Sequence, residues 1–177
     1  MGKRINSEIS FNSAENPLMA RMIECCSHAG SETSFKRWWR IRSPPTVLRN
    51  FLIITLCKYL PASGFKNSLY RSIGMRIGKN VSIFGTNFDI FFPEFIDIGD
   101  NVVIGQNTTI VAHEFLPNEW HKGKVKIGKN ALIGTMVLVL PGVEIGKNTK
   151  VAAYSLVNKS VGSDLLVGGV PIRVLNA

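Results

Sequence analysis

The chain has 177 residues, 45% of them apolar, with 21 Lys or Arg against 12 Asp or Glu and a formal net charge of +9. That apolar content supports a packed core and excludes a wholly disordered chain, and the length fits one domain with an extension. Three cysteines (Cys25, Cys26, Cys57) are odd in number and lack metal-ligand spacing, which excludes a disulfide framework and points to inert thiols in a reducing cytosol.

Residues 1–33 are polar, with no apolar segment of the kind a secretory signal carries. Met1-Gly2 opens like a myristoylation signal, but Asn6 stands where Ser or Thr is required. Composition predicts a poorly ordered or weakly helical start, and residues 1–45 read as a polar to basic, flexible segment. Between Phe35 and Phe88 lie ten Lys or Arg and no acid, a block that calls for an anionic partner.

Within it come Trp38-Trp39-Arg40-Ile41-Arg42, a Pro44-Pro45 break, and a predicted helix from Thr46 to Leu60 with Pro61 just past its end. A second helix is predicted from Phe65 to Ile73, so that residues 46–74 form one helical segment. The apolar run from Phe51 to Cys57 is far shorter than the roughly 20 residues a bilayer-spanning helix needs. Two readings of this segment stand together. It caps the open end of the fold that follows, or residues 35–60 lie peripherally on an anionic membrane, with Trp38 and Trp39 at the interface.

From residue 75 to 160 the chain keeps a six-residue beat. Ile-Gly-x-Asn recurs at Ile77-Gly78-Lys79-Asn80, Ile98-Gly99-Asp100-Asn101, Ile104-Gly105-Gln106-Asn107, Ile127-Gly128-Lys129-Asn130 and Ile145-Gly146-Lys147-Asn148. Filling the gaps gives an aliphatic ladder of Ile98, Ile104, Ile110, Ile127, Ile133, Val139, Ile145, Val151 and Val157. A helix spaces apolar residues by three and four and a half-buried strand by two, so a period of six fits neither. It fits short flat strands joined by corners, with three sides closing one coil of a solenoid. Gly and Asn are expected at the corners because both tolerate positive φ.

Two phase breaks interrupt the beat. Ile77 to Ile98 is one coil plus three residues, with the excess near Phe91-Phe92-Pro93. Ile98 to Ile127 is one coil plus eleven, with the excess inside an outward loop, residues 113–124. Insertions in a solenoid emerge on one face, often the binding face, so this loop ranks first as a functional site.

Residues 77–160 and the closing Gly168-Gly169-Val170-Pro171-Ile172-Arg173 of the tail (161–177) resemble the hexapeptide-repeat acyltransferases, in their sugar and small-molecule O-acetyltransferase branch. The resemblance carries three motifs: the tandem Ile-Gly-x-Asn hexads, a His at the mouth of an outward loop after Asn107-Thr108-Thr109-Ile110-Val111-Ala112, and that tail. It implies a mainly β fold, a left-handed parallel β-helix behind the N-terminal helical, basic extension. The left hand comes from the resemblance alone, since strand crossovers are nearly always right-handed.

The resemblance also implies the chemistry. His113 matches the general base, and a neutral imidazole suits removal of a proton from an alcohol that must attack a thioester. His121 is the rival base, a substrate contact or a loop packing residue. Glu114 or Asn107 would orient the imidazole, and Trp120 with Phe115 would form a lid, a stacking surface for a sugar, or a pin for the loop. The co-substrate implied is acetyl-CoA, on positions matching Gly134, Thr135, Ala153, Asn158, Lys159 and Arg173. Ala152-Ala153-Tyr154 departs from the commoner Gly-Ala-Gly pattern, and Tyr154 would crowd that groove.

A homotrimer with sites between subunits follows from the same resemblance, with Met136, Leu138 and Leu140 available for packing. The acceptor expected is a sugar hydroxyl on a polysaccharide or glycolipid precursor. No metal site is expected, because a zinc enzyme on this fold needs three His ligands and only His113 and His121 lie in the repeat. No nucleic-acid partner is expected, since no recognition element accompanies the charge. The alternative to an enzyme is a rigid β-helix scaffold held to a membrane or partner by its basic arm.

Overall fold

The computed structural model describes residues 18–27, 36, 38–117 and 119–175. The repeat winds into three walls of parallel two- and three-residue strands. The first wall stacks Arg76–Ile77, Ile96–Ile98, Val125–Ile127, Glu144–Ile145 and Ser160–Val161. The second stacks Ser82–Ile83, Val103–Ile104, Leu132–Ile133, Lys150–Val151 and Leu166–Gly168. The third stacks Asn87–Phe88, Thr109–Ile110, Leu138–Val139 and Leu156–Val157.

Register follows the ladder. Ile98 pairs with Ile127 and Ile127 with Ile145, Ile104 with Ile133 and Ile133 with Val151, and Ile110 with Val139 and Val139 with Val157. All of these residues are buried. Each wall therefore supplies one aliphatic side chain per coil to a continuous column, while the residue before it faces outward.

Gly and Asn turn out to have different duties at the corners. Asn80, Asn101, Asn107, Asn130 and Asn148 hold φ between 54° and 59°, the left-handed region where Asn is tolerated. The Gly of each hexad does not adopt positive φ; it admits the backbone of the next coil. A Cβ on Gly128 would stand 2.6 Å from Lys147 N, and one on Gly99 2.8 Å from Lys129 N. Asn side chains then form a ladder up one corner, Asn80 to Asn101 at 3.0 Å, Asn101 to Asn130 at 3.1 Å and Asn130 to Asn148 at 3.0 Å.

Three helices close the first coil: α1 (Trp38–Ile41), α2 (Pro44–Tyr59) and α3 (Gly64–Ser72). Pro44 and Pro45 form the first turn of α2, where a missing N–H costs nothing, so the expected break is a helix start. The helix stops where Leu60 turns extended before Pro61. Ser63 caps α3 by accepting from Lys66 N at 3.3 Å.

Val47, Ile54, Cys57 and Tyr70 join the core. Many coil-to-coil hydrogen bonds run from N–H groups of one coil to carbonyls of the next, as from Gly78 N to Ile98 O and Ser82 N to Val102 O. Corner residues such as Asn101 and Asn107 donate back to Lys79 O and Gly85 O, while other first-coil carbonyls face outward at the end. Side chains from α3 take them up: Arg71 donates to Ile77 O and Gly78 O at 2.9 Å each, Asn67 to Val81 O at 2.8 Å, and Lys66 Nζ to Ile83 O at 2.9 Å. Burial of Lys66 pushes its pKa down. Capping is thus hydrogen bonding of an exposed strand edge as well as covering of a core.

Composition predicted little structure before residue 33, yet residues 18–27 contribute two strands. Leu18–Met19 pairs antiparallel with Ser160–Val161, and Glu24–Ser27 pairs with Glu119–Lys122. These short runs are held by tertiary pairing rather than by their own pattern. Residues 1–17 and 28–35 lie outside the described residues. No helix among the described residues is long and apolar enough to cross a membrane.

Candidate active site

Both insertions leave the coil at the same corner, between the third wall and the first, one coil apart. The lower runs from Asp89 through the turn Pro93–Phe95; the upper is a hairpin of His113–Phe115 and Glu119–Lys122. His113 pairs with Lys122 across the hairpin, and Glu24–Ser27 adds a third antiparallel strand. The hairpin therefore rests on the lower bulge and is clamped by the N-terminal strand.

His113 meets Asp89 where the two insertions touch. Its Nδ1 lies 2.5 Å from Asp89 Oδ2. The same oxygen accepts from Ala112 N at 2.7 Å, and Oδ1 accepts from Phe91 N at 2.8 Å and Phe92 N at 2.9 Å. Burial of the Asp89 carboxyl pushes its pKa up, but the His113 hydrogen bond and charge, with the backbone donors of Phe92 and Ala112, outweigh burial and hold it below the usual carboxylate range. In a neutral imidazole, an ionised Asp89 favours the proton on Nδ1 and leaves Nε2 with the lone pair. No protein group among the described residues hydrogen-bonds that nitrogen.

An aromatic cradle fixes the ring. The centroid of His113 lies 4.8 Å from Phe91, 5.8 Å from Phe92 and 4.7 Å from Phe115. Trp120 stacks flat on Phe92, 5.5 Å between centroids at 5°, so its ring pins the hairpin to the bulge. The His113 side chain keeps 14% of its surface exposed.

The carboxylate bonded to the imidazole, Asp89, is not one of the residues singled out from the sequence. Glu114 turns away from the imidazole and forms a two-pronged pair with Arg21, at 2.7 and 3.1 Å, because neighbouring strand residues face opposite sides. Asn107 is a corner residue at the far edge of the third wall. Asp89 was missed, although it ends the acid-free run and adjoins the three-residue phase break. His121 lies on the hairpin's Glu114 side, its Nε2 3.1 Å from Glu119 and its Nδ1 3.6 Å from Glu114.

Positions expected to meet the co-substrate fall on two edges. Gly134, Thr135 and Ala153 sit with Asn107 at the corner between the second and third walls, stacked so closely that a Cβ on Gly134 would stand 2.6 Å from Ala153 N. Arg173, exposed, tops that edge through its pairing with Gly168. Asn158 and Lys159 follow the last strand of the third wall at the opposite corner, two coils above the His113 level. The stretch from Thr135 to Leu140 that separates the edges spans at most about 17 Å. Tyr154 takes φ 58° and stands exposed at the Ala153 edge.

Comparison with known proteins agrees with the fold. The bacterial transferase hexapeptide (six repeats) family matches residues 124–159. Over 131 residues, 73% of this chain and 76% of the other, the chain is 45% identical to "Putative acetyltransferase YvoF" of Bacillus subtilis (strain 168). It is 36% identical over 118 residues to the galactoside O-acetyltransferase of Escherichia coli (strain K12), spanning 60% of this chain and 57% of that one.

Among solved structures, a galactoside acetyltransferase in complex with coenzyme A matches with a TM-score of 0.61 over 75% of this chain and 80% of its own, at 24% identity. The hexapeptide-repeat acetyltransferase VCA0836 of Vibrio cholerae O1 biovar eltor, complexed with acetyl coenzyme A, gives 0.60 over 75% and 87%, at 22% identity. Likeness at that identity carries the fold, a left-handed parallel β-helix. With the period-six ladder and a relative 45% identical across most of both chains, this chain belongs to the hexapeptide-repeat acetyltransferase family.

Proposed function

We propose that the chain moves an acetyl group from acetyl-CoA to a hydroxyl of a saccharide or polysaccharide precursor, with His113 as general base. The observation that carries this reading is the Asp89–His113 pair. A buried, ionised carboxylate holds Nδ1, and the opposite nitrogen is left free at the mouth of an outward loop. Nε2 takes the proton from the acceptor hydroxyl as its oxygen attacks the thioester carbonyl. The C–S bond then breaks, and the departing thiolate recovers that proton from the imidazolium. Asp89 stabilises the imidazolium between the two steps, as a carboxylate behind a catalytic imidazole does.

The donor is assigned because solved relatives of this fold are described in complex with coenzyme A and acetyl coenzyme A. The small residues of the Gly134–Ala153 edge leave room for a narrow pantetheine arm, and Lys159 and Arg173 suit phosphates. The acceptor class rests on the relative named a galactoside O-acetyltransferase. Separation of the two edges supports a homotrimer whose sites form between protomers, one supplying His113 and the next the Gly134 edge. Free thiols at Cys25, Cys26 and Cys57 fit a reducing cytosol.

The test is thiol release from acetyl-CoA in the presence of candidate saccharides. His113→Ala is expected to lower kcat/KM by about 10²–10⁴-fold, with Tm and oligomeric state unchanged. Full turnover in that variant would transfer the base role to His121, whereas no thiol release by the wild type with any saccharide would leave the protein a scaffold.

A further inference from the structure

Helix α2 carries apolar side chains on both sides, with one buried polar residue, Asn50, on the inner side, where it donates to Ile90 O at 2.9 Å. Its inner face buries Val47, Ile54 and Cys57, whereas its outer face exposes Leu48 (58%), Phe51 (49%), Leu52 (57%), Leu56 (55%) and Tyr59 (80%). At about 100° per residue these outer side chains and Thr55 fall in a sector of roughly 140°. Arg49 and Lys58 stand on opposite flanks of that stripe, each roughly 90° from its centre. Trp39 on α1 and Phe65 on α3 extend the exposed apolar surface at 52% and 67%. An apolar groove walled by Trp38, Pro44, Pro45, Leu48, Phe51 and Ile90 continues it towards the site. Trp38 packs on Phe91, which packs on His113.

Charge says what such a surface fits. No carboxylate occurs from Lys36 to Phe88. Arg42 is engaged by Glu94 and Lys66 by backbone carbonyls. Lys36, Arg40, Arg49 and Lys58 make no ion pair among the described residues. We infer that the outer face of α2, with Trp39 and Phe65, seats on an anionic lipid surface, lying in the headgroup layer with the flanking cations on lipid phosphates. At 16 residues α2 is too short and too interrupted to cross a bilayer, so the contact is peripheral. A second copy of the chain, the other occupant an apolar face can take, leaves acid-free, cation-flanked edges without complement. This inference does not depend on the acetyl-transfer reading.

The experiment is sedimentation of the full chain with vesicles of phosphatidylcholine alone and of phosphatidylcholine with 30 mol% phosphatidylglycerol, a composition chosen for roughly physiological anionic content. The chain is expected to pellet with the anionic vesicles and much less with the neutral ones. Phe51→Ser/Leu52→Ser/Leu56→Ser, all outward, is expected to abolish pelleting while Tm and light-scattering mass stay as in wild type. Arg49→Gln/Lys58→Gln should weaken partition by about fivefold for each cation removed. Wild type remaining in the supernatant, or equal pelleting of the triple variant, would overturn the inference. A triple variant that lost oligomeric mass would instead make this face an interface between copies.

Discussion

Asp89 illustrates how much a single side chain draws from its surroundings. A fully buried carboxylate is costly unless donors satisfy it, and this one accepts from three backbone N–H groups and an imidazole. Asp89→Asn puts an amide donor against Nδ1 and favours the tautomer with the proton on Nε2. A loss of about 10²–10⁴-fold in kcat/KM is expected, with KM for acetyl-CoA little changed. Because its folded pKa lies below the ordinary 3.8, Asp89 stabilises the fold above that value, and the stabilisation is lost as pH falls through the folded pKa. Melting curves taken from neutrality down into that acid range should fall more steeply for wild type than for Asp89→Asn; parallel curves would remove Asp89 from this role. His113 could be read from its place at the mouth of the loop. Asp89 could not, since 24 residues separate the pair and only the stacking of successive coils joins them.

The hexad shows the same division among elements. Its aliphatic position was legible because one residue in six must point inward whatever its neighbours do. The glycine's duty was not, because close approach depends on the coil above. Gly128→Ala is therefore expected to destabilise by overpacking, about 1–3 kcal/mol or a Tm lower by about 2–10 °C, even though the backbone there suits any residue. An unchanged Tm would mean that the coils separate easily. Helices α2 and α3 were found within two residues of their expected bounds from capping and proline signals, whereas the single turn α1 was not expected. The strands at residues 18–27 were not, since their pairing partners lie about 100 residues or more further along the chain.

At the scale of the whole molecule, the proposed activity depends on which edges of the third wall belong to one site. If His113 of one protomer works with the Thr135 edge of the next, two inactive chains should rescue one another. His113→Ala and Thr135→Trp, the latter at an exposed position, would each be inactive alone. Mixed by refolding together, they are expected to recover about one quarter of wild-type turnover, the share of neighbouring pairs with both intact edges in a closed ring. Turnover no higher than that of either parent would confine the site to a single chain. The apolar outer face of α2 belongs to this scale too. From sequence this helix reads as a cap or as a membrane contact, and only its packing separates the side facing the core from the side left outside.

Periodicity by itself determined the coil, the identity of its inward residues, the corner asparagines and the loop that carries His113. Each follows from local geometry repeated every six residues, so no knowledge of distant contacts is needed. Folding alone brought Asp89 beneath His113, turned Glu114 to Arg21, laid the N-terminal strand along the hairpin and split the positions expected to meet the co-substrate between two edges. Those relations join residues far apart in sequence, and they exist only once coils stack at about 4.8 Å and superimpose the two insertions on one corner.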